Sequence, residues 1–447
     1  MRVHFIAVGG SIMHNLALAL KYAGHEVTGS DDEIYDPARS RLEKGGILPS
    51  EMGWDPDRIS NDIDAVILGM HARQDNPELA RAIELDIRVY SFPEFVSEQS
   101  SDKKRVVIAG SHGKTSTTSM IMHVLRNAKR DFDYLVGAQL PDFELMVHLS
   151  DAPVIVIEGD EYLSSPIDRR PKFFHYKPHI TAITGVAWDH MNVFPTLENY
   201  ISQFDQYLDS LPDDAVCFYY EKDKELKTLA SKHSKRLNLK GYKAVPHSYT
   251  HYGAVVSDNE GGSYVMQIFG SHNFENMQAA RLICSELGIK DHDFFKAMKT
   301  FKGASMRLQE IHASDSLTVF RDFAHAPSKV RATVRAIRER FQKETVTAIV
   351  ELHTFSSLNK DFIPQYKGAL DSADHRFVYY SPHTLEIKKL PPVSKEEICD
   401  AFGGDVEVFT SIEDLVKAIS TPYTGIHLWM SSGRFGDFDV QQMYKTD

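Results

Sequence analysis

The segment Gly110-Ser111-His112-Gly113-Lys114-Thr115-Ser116-Thr117 carries the residue types that hold a polyphosphate. Glycines let the backbone wrap a phosphate, and N–H groups at a helix start favour an anion. Lys114 would reach the β/γ-phosphates and the Thr115 hydroxyl would ligate Mg2+. The strict phosphate-loop pattern needs glycine five residues before Gly113; Ile108 stands there, so the chain carries the shorter form G-x-x-G-K-T. A tight turn with a surface lysine is the bland alternative, and the flanking apolar strand and helix argue against it.

Four further groups of residues could serve the same chemistry. Glu158, Asp160 and Glu161 close the apolar run Ile155-Val156-Ile157. A strand end on the loop's own sheet is where a nucleotide enzyme holds Mg2+, and three acids there repel one another unless a cation is present. In Trp188-Asp189-His190-Met191, a neutral imidazole could ligate metal while its carboxylate neighbour orients it. Asn273 and Asn276, three apart beside a helix, could bind base or phosphate, or one could simply cap the helix. Arg307 and the run Asp322-Phe323-Ala324-His325-Ala326-Pro327 place polar groups among apolar ones, the latter at a strand end. Near the N-terminus, Ala7-Val8-Gly9-Gly10-Ser11-Ile12-Met13 is a poor G-x-G-x-x-G, and Ser30-Asp31-Asp32 offers an acid for a ribose. That pair is weak evidence for NAD and fits another nucleotide as well.

Short apolar strands alternating with helices must position these groups, which predicts α/β folding on mostly parallel sheets. At about 150 residues per domain, 447 residues predict roughly three domains. The polar stretch 97–104 places one boundary near 100, and a second falls near 308–316. The expected domains are thus 1–100, 101–312 and 313–447. Composition is ordinary for a globular chain, with 42% hydrophobic and 25% charged residues. A formal charge of −12 lacks the footprint of a general nucleic-acid binder. Cys217, Cys284 and Cys399 show neither metal spacing nor a disulfide framework. No apolar run approaches a membrane span of about 20 residues, so a cytoplasmic protein is expected.

In order, these motifs resemble those of the Mur ligases, the ATP-dependent amide-forming enzymes of peptidoglycan assembly. GSHGKTST is similar to the family's GTxGKTT. Glu158 falls at its strand-end glutamate, Asp189-His190 at its D-H, and His272-Asn273-x-x-Asn276 at its H-N-x-x-N. Arg307 and Asp322-x-x-His325-x-Pro327 match its C-terminal arginine and D-x-x-H-x-P. The resemblance spans essentially the whole chain. It implies a Rossmann-like N-terminal domain for a UDP-sugar, a central P-loop ATPase-type domain and a Rossmann-like C-terminal domain that brings an amine.

It also implies roles. Gly110, Ser111, His112, Gly113, Lys114, Thr115, Ser116, Asn273, Asn276, Arg307 and Asp322 would contact ATP. Thr115, Glu158 and His190 would hold Mg2+, two ions in all. Gly9, Gly10, Ser11, Ile12, Met13, Ser30, Asp31 and His71 would bind UDP-N-acetylmuramate. His353, Thr354, Ser356, Ser432 and Gly433 would meet the amine. Catalysis would rest on Lys114, Glu158, His190, Arg307, Asp322 and His325, with His325 as the candidate general base. Asp205 stands where some members carry a carbamoylated lysine, which points to the branch using L-alanine or the tripeptide L-alanyl-γ-D-glutamyl-meso-diaminopimelate. Ile12 in place of a third glycine, Ser30-Asp31-x-x-x-Tyr35-x-Pro37 and Met430-Ser431-Ser432-Gly433-Arg434-Phe435-Gly436 favour the tripeptide. A nucleotide-gated regulatory module and an NAD-dependent oxidoreductase are the readings from other classes.

Overall fold

The computed structural model describes residues 1–250, 253–303, 307–419 and 424–444. The first sheet comprises β1 (Arg2–Ile6), β2 (Glu26–Ser30), β3 (Ala65–Leu68) and β4 (Val89–Ser91), all parallel, in the order β2-β1-β3-β4. The order reverses beside β1, so the turn after it opens into a crevice at the strands' C-terminal ends. Ala7 takes a positive φ of 67° there, and the Ala7 and Val8 N–H groups both donate to the Ser30 carbonyl.

The second sheet holds β5 (Lys104–Ala109), β6 (Asp133–Leu135), β7 (Val147–His148), β8 (Val154–Glu158), β9 (Ile180–Ile183), β10 (Val216–Tyr220) and β11 (Asn238–Tyr242). Its order is β11-β10-β9-β5-β8-β6-β7, with β7 alone antiparallel. Val106 to Ala109 and Ile155 to Ile157 are fully buried, as central strands covered on both faces must be. A meander of β12 (His247–Thr250), β13 (Gly253–Ser257) and β14 (Ser263–Met266) follows.

The last sheet joins β15 (Gln309–Ala313), β16 (Leu317–Asp322), β17 (Val346–Leu352), β18 (His375–Tyr380), β19 (Glu407–Phe409) and β20 (Gly425–Met430). Its order is β15-β16-β20-β17-β18-β19, parallel except for β15.

Contacts group the chain into two compact units. One comprises Met1–Val186, Ile201–Lys243 and Ala279–Ala297; the other comprises Ala187–Tyr200, Ala244–Gln278 and Met298–Asp447. The first two sheets lie in the first unit and the last two in the second. Among the described residues no helix is long and apolar enough to cross a membrane.

Three local differences from the sequence reading have physical causes. The polar run Ser97-Glu98-Gln99 ends the helix Phe92–Gln99, whose N-cap is Ser91 and whose first turn takes Pro93. The helix expected beside Asn273 and Asn276 begins at Ser271 and carries both, and the Ser271 N–H and hydroxyl face the Glu339 carboxylate. β15 lies inside the expected boundary at 308–316; Gln309, Glu310 and Ala313 are exposed, Ile311 and His312 are half-buried, and a bulge at Glu310/His312 breaks their alternation.

Candidate active site

The loop after β5 turns at two glycines. Gly110 and Gly113 take φ of 127° and 79°, values that side chains resist, and Gly113 caps the helix Lys114–Asn127. The end of β9 pins the loop from behind. Ser111 N donates to the Gly185 carbonyl at 2.9 Å, and the Thr184 hydroxyl donates to the carbonyls of Ala109 and His112. Ser111 Oγ lies 2.7 Å from His112 Nδ1, and Ser116 follows in the first helical turn.

Lys114 and the three acids form one charged set. The Lys114 ammonium donates to the Gly110 carbonyl at 2.7 Å and to Glu161, and stands 3.8 Å from Asp160. Lys172 pairs with Asp160 at 2.6 Å. Two lysines therefore pair with two of the three acids, Asp160 and Glu161. Burial opposes charge on Lys114, but Glu161, Asp160 and Glu158 outweigh it and hold the ammonium protonated. Glu158 accepts from the Thr115 hydroxyl at 2.8 Å and from Gly137 N at 2.7 Å. Burial pushes its carboxyl up, against Lys114 and these two hydrogen bonds. A hydroxyl and a carboxylate oxygen side by side at a helix start are hard oxygen donors, so the residues present fit Mg2+ beside a polyphosphate.

In the first sheet, Gly9 N donates to Asp31 Oδ2 at 2.7 Å, and burial raises the Asp31 carboxyl to about 6. Asp31 thus backs the Gly9-Gly10 turn. Ser30 is fully buried with its hydroxyl on Glu78, so that side chain is spent inside the domain rather than on a ligand. Ser11 and His71 are exposed, Ile12 is half-buried and Met13 is buried. Asp205 lies on the helix Leu197–Ser210, where it pairs with Lys232 and accepts from His233 at 2.7 Å.

The second unit collects the remaining motifs. His190 takes a positive φ of 56°, and its N–H donates to Asp189 Oδ1 at 2.8 Å. Asp189 Oδ2 accepts from Lys329 at 3.1 Å. Burial raises the Asp189 carboxyl, but Lys329, His190 and His325 pull it well below the carboxylate range. Asp322 ends β16 and accepts from Leu308 N at 2.6 Å and Ala324 N at 2.7 Å. It fixes the turns on both sides of it. Arg307 stacks over the Phe323 ring at 4.8 Å. Asn273 donates to the Phe269 carbonyl at 2.8 Å, and Asn276 is buried on the same helix.

His325 Nδ1 lies 2.9 Å from the Phe323 carbonyl, which can only accept, so Nδ1 carries the proton and Nε2 keeps its lone pair. Burial and then Lys329 lower this imidazole to about 4. It is unprotonated at neutral pH but a feeble base.

β16, β20 and β17 are neighbours, so their following loops share one sheet edge. Glu351 on β17 accepts from Ser431 and from Phe435 N at 3.0 Å. His353 Nδ1 stands 3.8 Å from Glu351, and a Cβ on Gly433 would come within 2.7 Å of His353 Cγ. Ser432 Oγ is buried without a hydrogen-bond partner among the described residues. Thr354 and Ser357 exchange hydrogen bonds within their own turn, and Ser356 Oγ accepts from Met191 N at 3.3 Å. Those two predicted amine contacts are thus engaged within the fold. Glu351 and Gly137 were missed, and only strand pairing brings them to their partners.

Three family models match the chain: "Mur ligase family, catalytic domain" over residues 2–104, "Mur ligase middle domain" over 108–284 and "Mur ligase, glutamate ligase domain" over 306–428. The UDP-N-acetylmuramate–L-alanyl-γ-D-glutamyl-meso-2,6-diaminoheptandioate ligase of Escherichia coli is 29% identical over 453 residues, covering 98% of this chain and 96% of that one. The UDP-N-acetylmuramate–L-alanine ligase of Lactobacillus gasseri is 29% identical over 427 residues, covering 93% of each. Among solved structures, a murein peptide ligase from Psychrobacter arcticus aligns with TM-score 0.67 and 24% identity over 100% of this chain and 97% of its own. The UDP-N-acetylmuramate–alanine ligase of Thermotoga maritima aligns with TM-score 0.71 and 21% identity over the same shares. These two structures speak for the fold.

Proposed function

Since the chain belongs to the Mur ligase family, whose members form amide bonds with ATP, we propose that it joins the lactyl carboxylate of UDP-N-acetylmuramate to the amine of L-alanyl-γ-D-glutamyl-meso-diaminopimelate. The observation that carries the phosphoryl chemistry is the Thr115–Glu158 pair beside Lys114 at the start of one helix.

A free carboxylate does not accept an amine at neutral pH, because oxide cannot leave. A carboxylate oxygen therefore attacks the γ-phosphorus, a new P–O bond forms, and ADP departs with the β–γ bridging oxygen. The amine nitrogen then adds to the carbonyl carbon of the acyl phosphate. The tetrahedral oxyanion collapses, inorganic phosphate leaves with the former carboxylate oxygen, and the nitrogen loses its proton. Lys114, kept charged by Glu161, would turn its ammonium from that carboxylate toward the phosphates. The loop N–H groups bind the same oxygens. Thr115 and Glu158 would hold Mg2+, which neutralises phosphate charge, and His190 would be a ligand to a second ion. Asp322 and Arg307 would complete the nucleotide contacts. His325 Nε2 would take the amine proton, a modest contribution given its low basicity.

The tripeptide is favoured by Ile12 in the first loop and by the 29% identity over 98% of the chain to the tripeptide ligase. L-Alanine is the second candidate, because an alanine ligase matches at the same identity. Purified protein given UDP-N-acetylmuramate and ATP with either amine decides between them. A kcat/KM at least about 100-fold higher for the tripeptide is expected, roughly 2.7 kcal/mol of discrimination. The reverse ratio would assign L-alanine.

A further inference from the structure

The first glycine loop and the metal glutamate lie on different sheets of the first unit, and one hairpin loop runs from one to the other. β6 and β7 are paired, and the loop 136–146 between them is closed by Val136 N donating to the Met146 carbonyl at 2.9 Å. At one end Gly137 N holds Glu158 Oε2 at 2.7 Å. Further along, Gln139 Oε1 and the Glu144 carbonyl both accept from Arg41 Nη2, each at 2.9 Å. Arg41 lies on the helix Ala38–Lys44 of the N-terminal domain, and its Nη1 donates to Asn15 Oδ1 at 3.3 Å. Asn15 is fully buried. Its Oδ1 also accepts from Met146 N at 3.0 Å, and its amide donates to the Ser11 carbonyl at 2.8 Å. Ser11 belongs to the first glycine loop.

Each link here is a hydrogen bond with a definite direction, and the guanidinium fork makes three of them at once. A planar fork that spans three acceptors fixes distance and angle together, which a single contact does not. The loop it grips ends on the carboxylate proposed to hold Mg2+. The N-terminal elements it grips carry the turn proposed to hold the UDP-sugar.

We propose that Arg41, with Asn15, is a positioning residue for ligation: it sets the distance between the lactyl carboxylate and the phosphate it attacks. This rests on the proposed function. Arg41 touches neither reacting atom, so its loss leaves binding of each substrate intact and spoils their approach. The required accuracy is severe, because a misplacement of about 1 Å remote from the reacting atoms costs on the order of 100-fold in rate.

The test is steady-state ligation by the full chain and by Arg41→Ala, Arg41→Lys and Gln139→Ala, with melting temperature recorded for each. Arg41→Ala is expected to lower kcat by about 10- to 100-fold, with KM for ATP and for UDP-N-acetylmuramate each within about threefold. Arg41→Lys is expected to recover little, because a point charge cannot span three acceptors. Gln139→Ala is expected to act in the same direction, and the double variant Arg41→Ala/Gln139→Ala to be no worse than Arg41→Ala alone. A folded Arg41→Ala with kcat within about twofold of the unaltered chain, or with its whole loss in KM, overturns the proposal. If Arg41→Ala does not fold, Gln139→Ala is judged on the same two criteria. No ligation by the unaltered chain overturns the proposed function, and this proposal with it.

Discussion

Around the phosphate loop, charged side chains meet one another. At the C-terminal edge of the last sheet, the buried carboxylates meet neutral donors, most of them backbone N–H groups. Lys114 contacts Glu161 and Gly110, and Thr115 contacts Glu158. By contrast, Asp322 and Glu351 accept from the N–H groups of Leu308, Ala324 and Phe435, and so shape loops. What faces outward at that edge is His353, with 41% of its side chain exposed, beside Gly433 and Arg434. The proposed nucleotide site is therefore written in residue types, whereas the proposed amine site is written in loop shape. The first is legible residue by residue, and the second is not.

Breaking the phosphate half should cost most. Lys114→Ala should lower ligation by more than about 1000-fold, because a clamp on transferring phosphoryl charge is lost. ADP release with all substrates present reads this directly, and a loss under about tenfold would remove the loop from the chemistry. Gly137→Ala comes next. A Cβ there would stand 2.7 Å from Glu158 Oε1, so the carboxylate must shift. The expected loss is about 10- to 100-fold, with activity needing more Mg2+. An unchanged Mg2+ titration would mean that Glu158 does not depend on Gly137.

The amine half should yield smaller effects. His325→Ala is expected to reduce kcat by about tenfold, at the low end for a proton-transfer residue. Because burial holds this imidazole at about 4, the variant's rate profile should keep the unaltered chain's shape above about pH 6. An inflection near pH 6.5 that the variant loses would show that His325 titrates in the working range.

His427 sharpens the contrast through stability. It is fully buried on β20 with Nδ1 2.9 Å from the Tyr444 hydroxyl, and burial lowers it from the ordinary 6.5 to about 4. Between those values the unfolded chain binds more protons than the folded one, so stability rises with pH across the window. It is lost as pH falls from about 6.5 to about 4, by about 3 kcal/mol for this residue. His427→Gln should flatten the dependence of Tm on pH there. An unaltered slope would show that the imidazole is charged in the fold.

Much of the architecture was readable beforehand because parallel strands covered on both faces are continuous apolar runs, as in Val106 to Ala109 and Ile155 to Ile157. The helix-opening glycine loop was readable because positive φ at Gly110 and Gly113 demands glycine. β15 was not, because an exposed edge strand with a bulge has no alternation to find. Ser30 and Ser356 were read as ligand contacts from motif position, yet their hydroxyls are engaged with Glu78 and with Met191 N. A serine's type does not tell which way it faces. Glu351 and Gly137 act through partners more than eighty and about twenty residues away, which only the sheet registers bring together.

The most direct test of an acyl phosphate uses UDP-N-acetylmuramate labelled with 18O in both oxygens of its lactyl carboxylate. One labelled oxygen should appear in inorganic phosphate for each amide formed, because the carboxylate oxygen that attacks phosphorus leaves with it. Amide formed alongside wholly unlabelled phosphate would contradict that route.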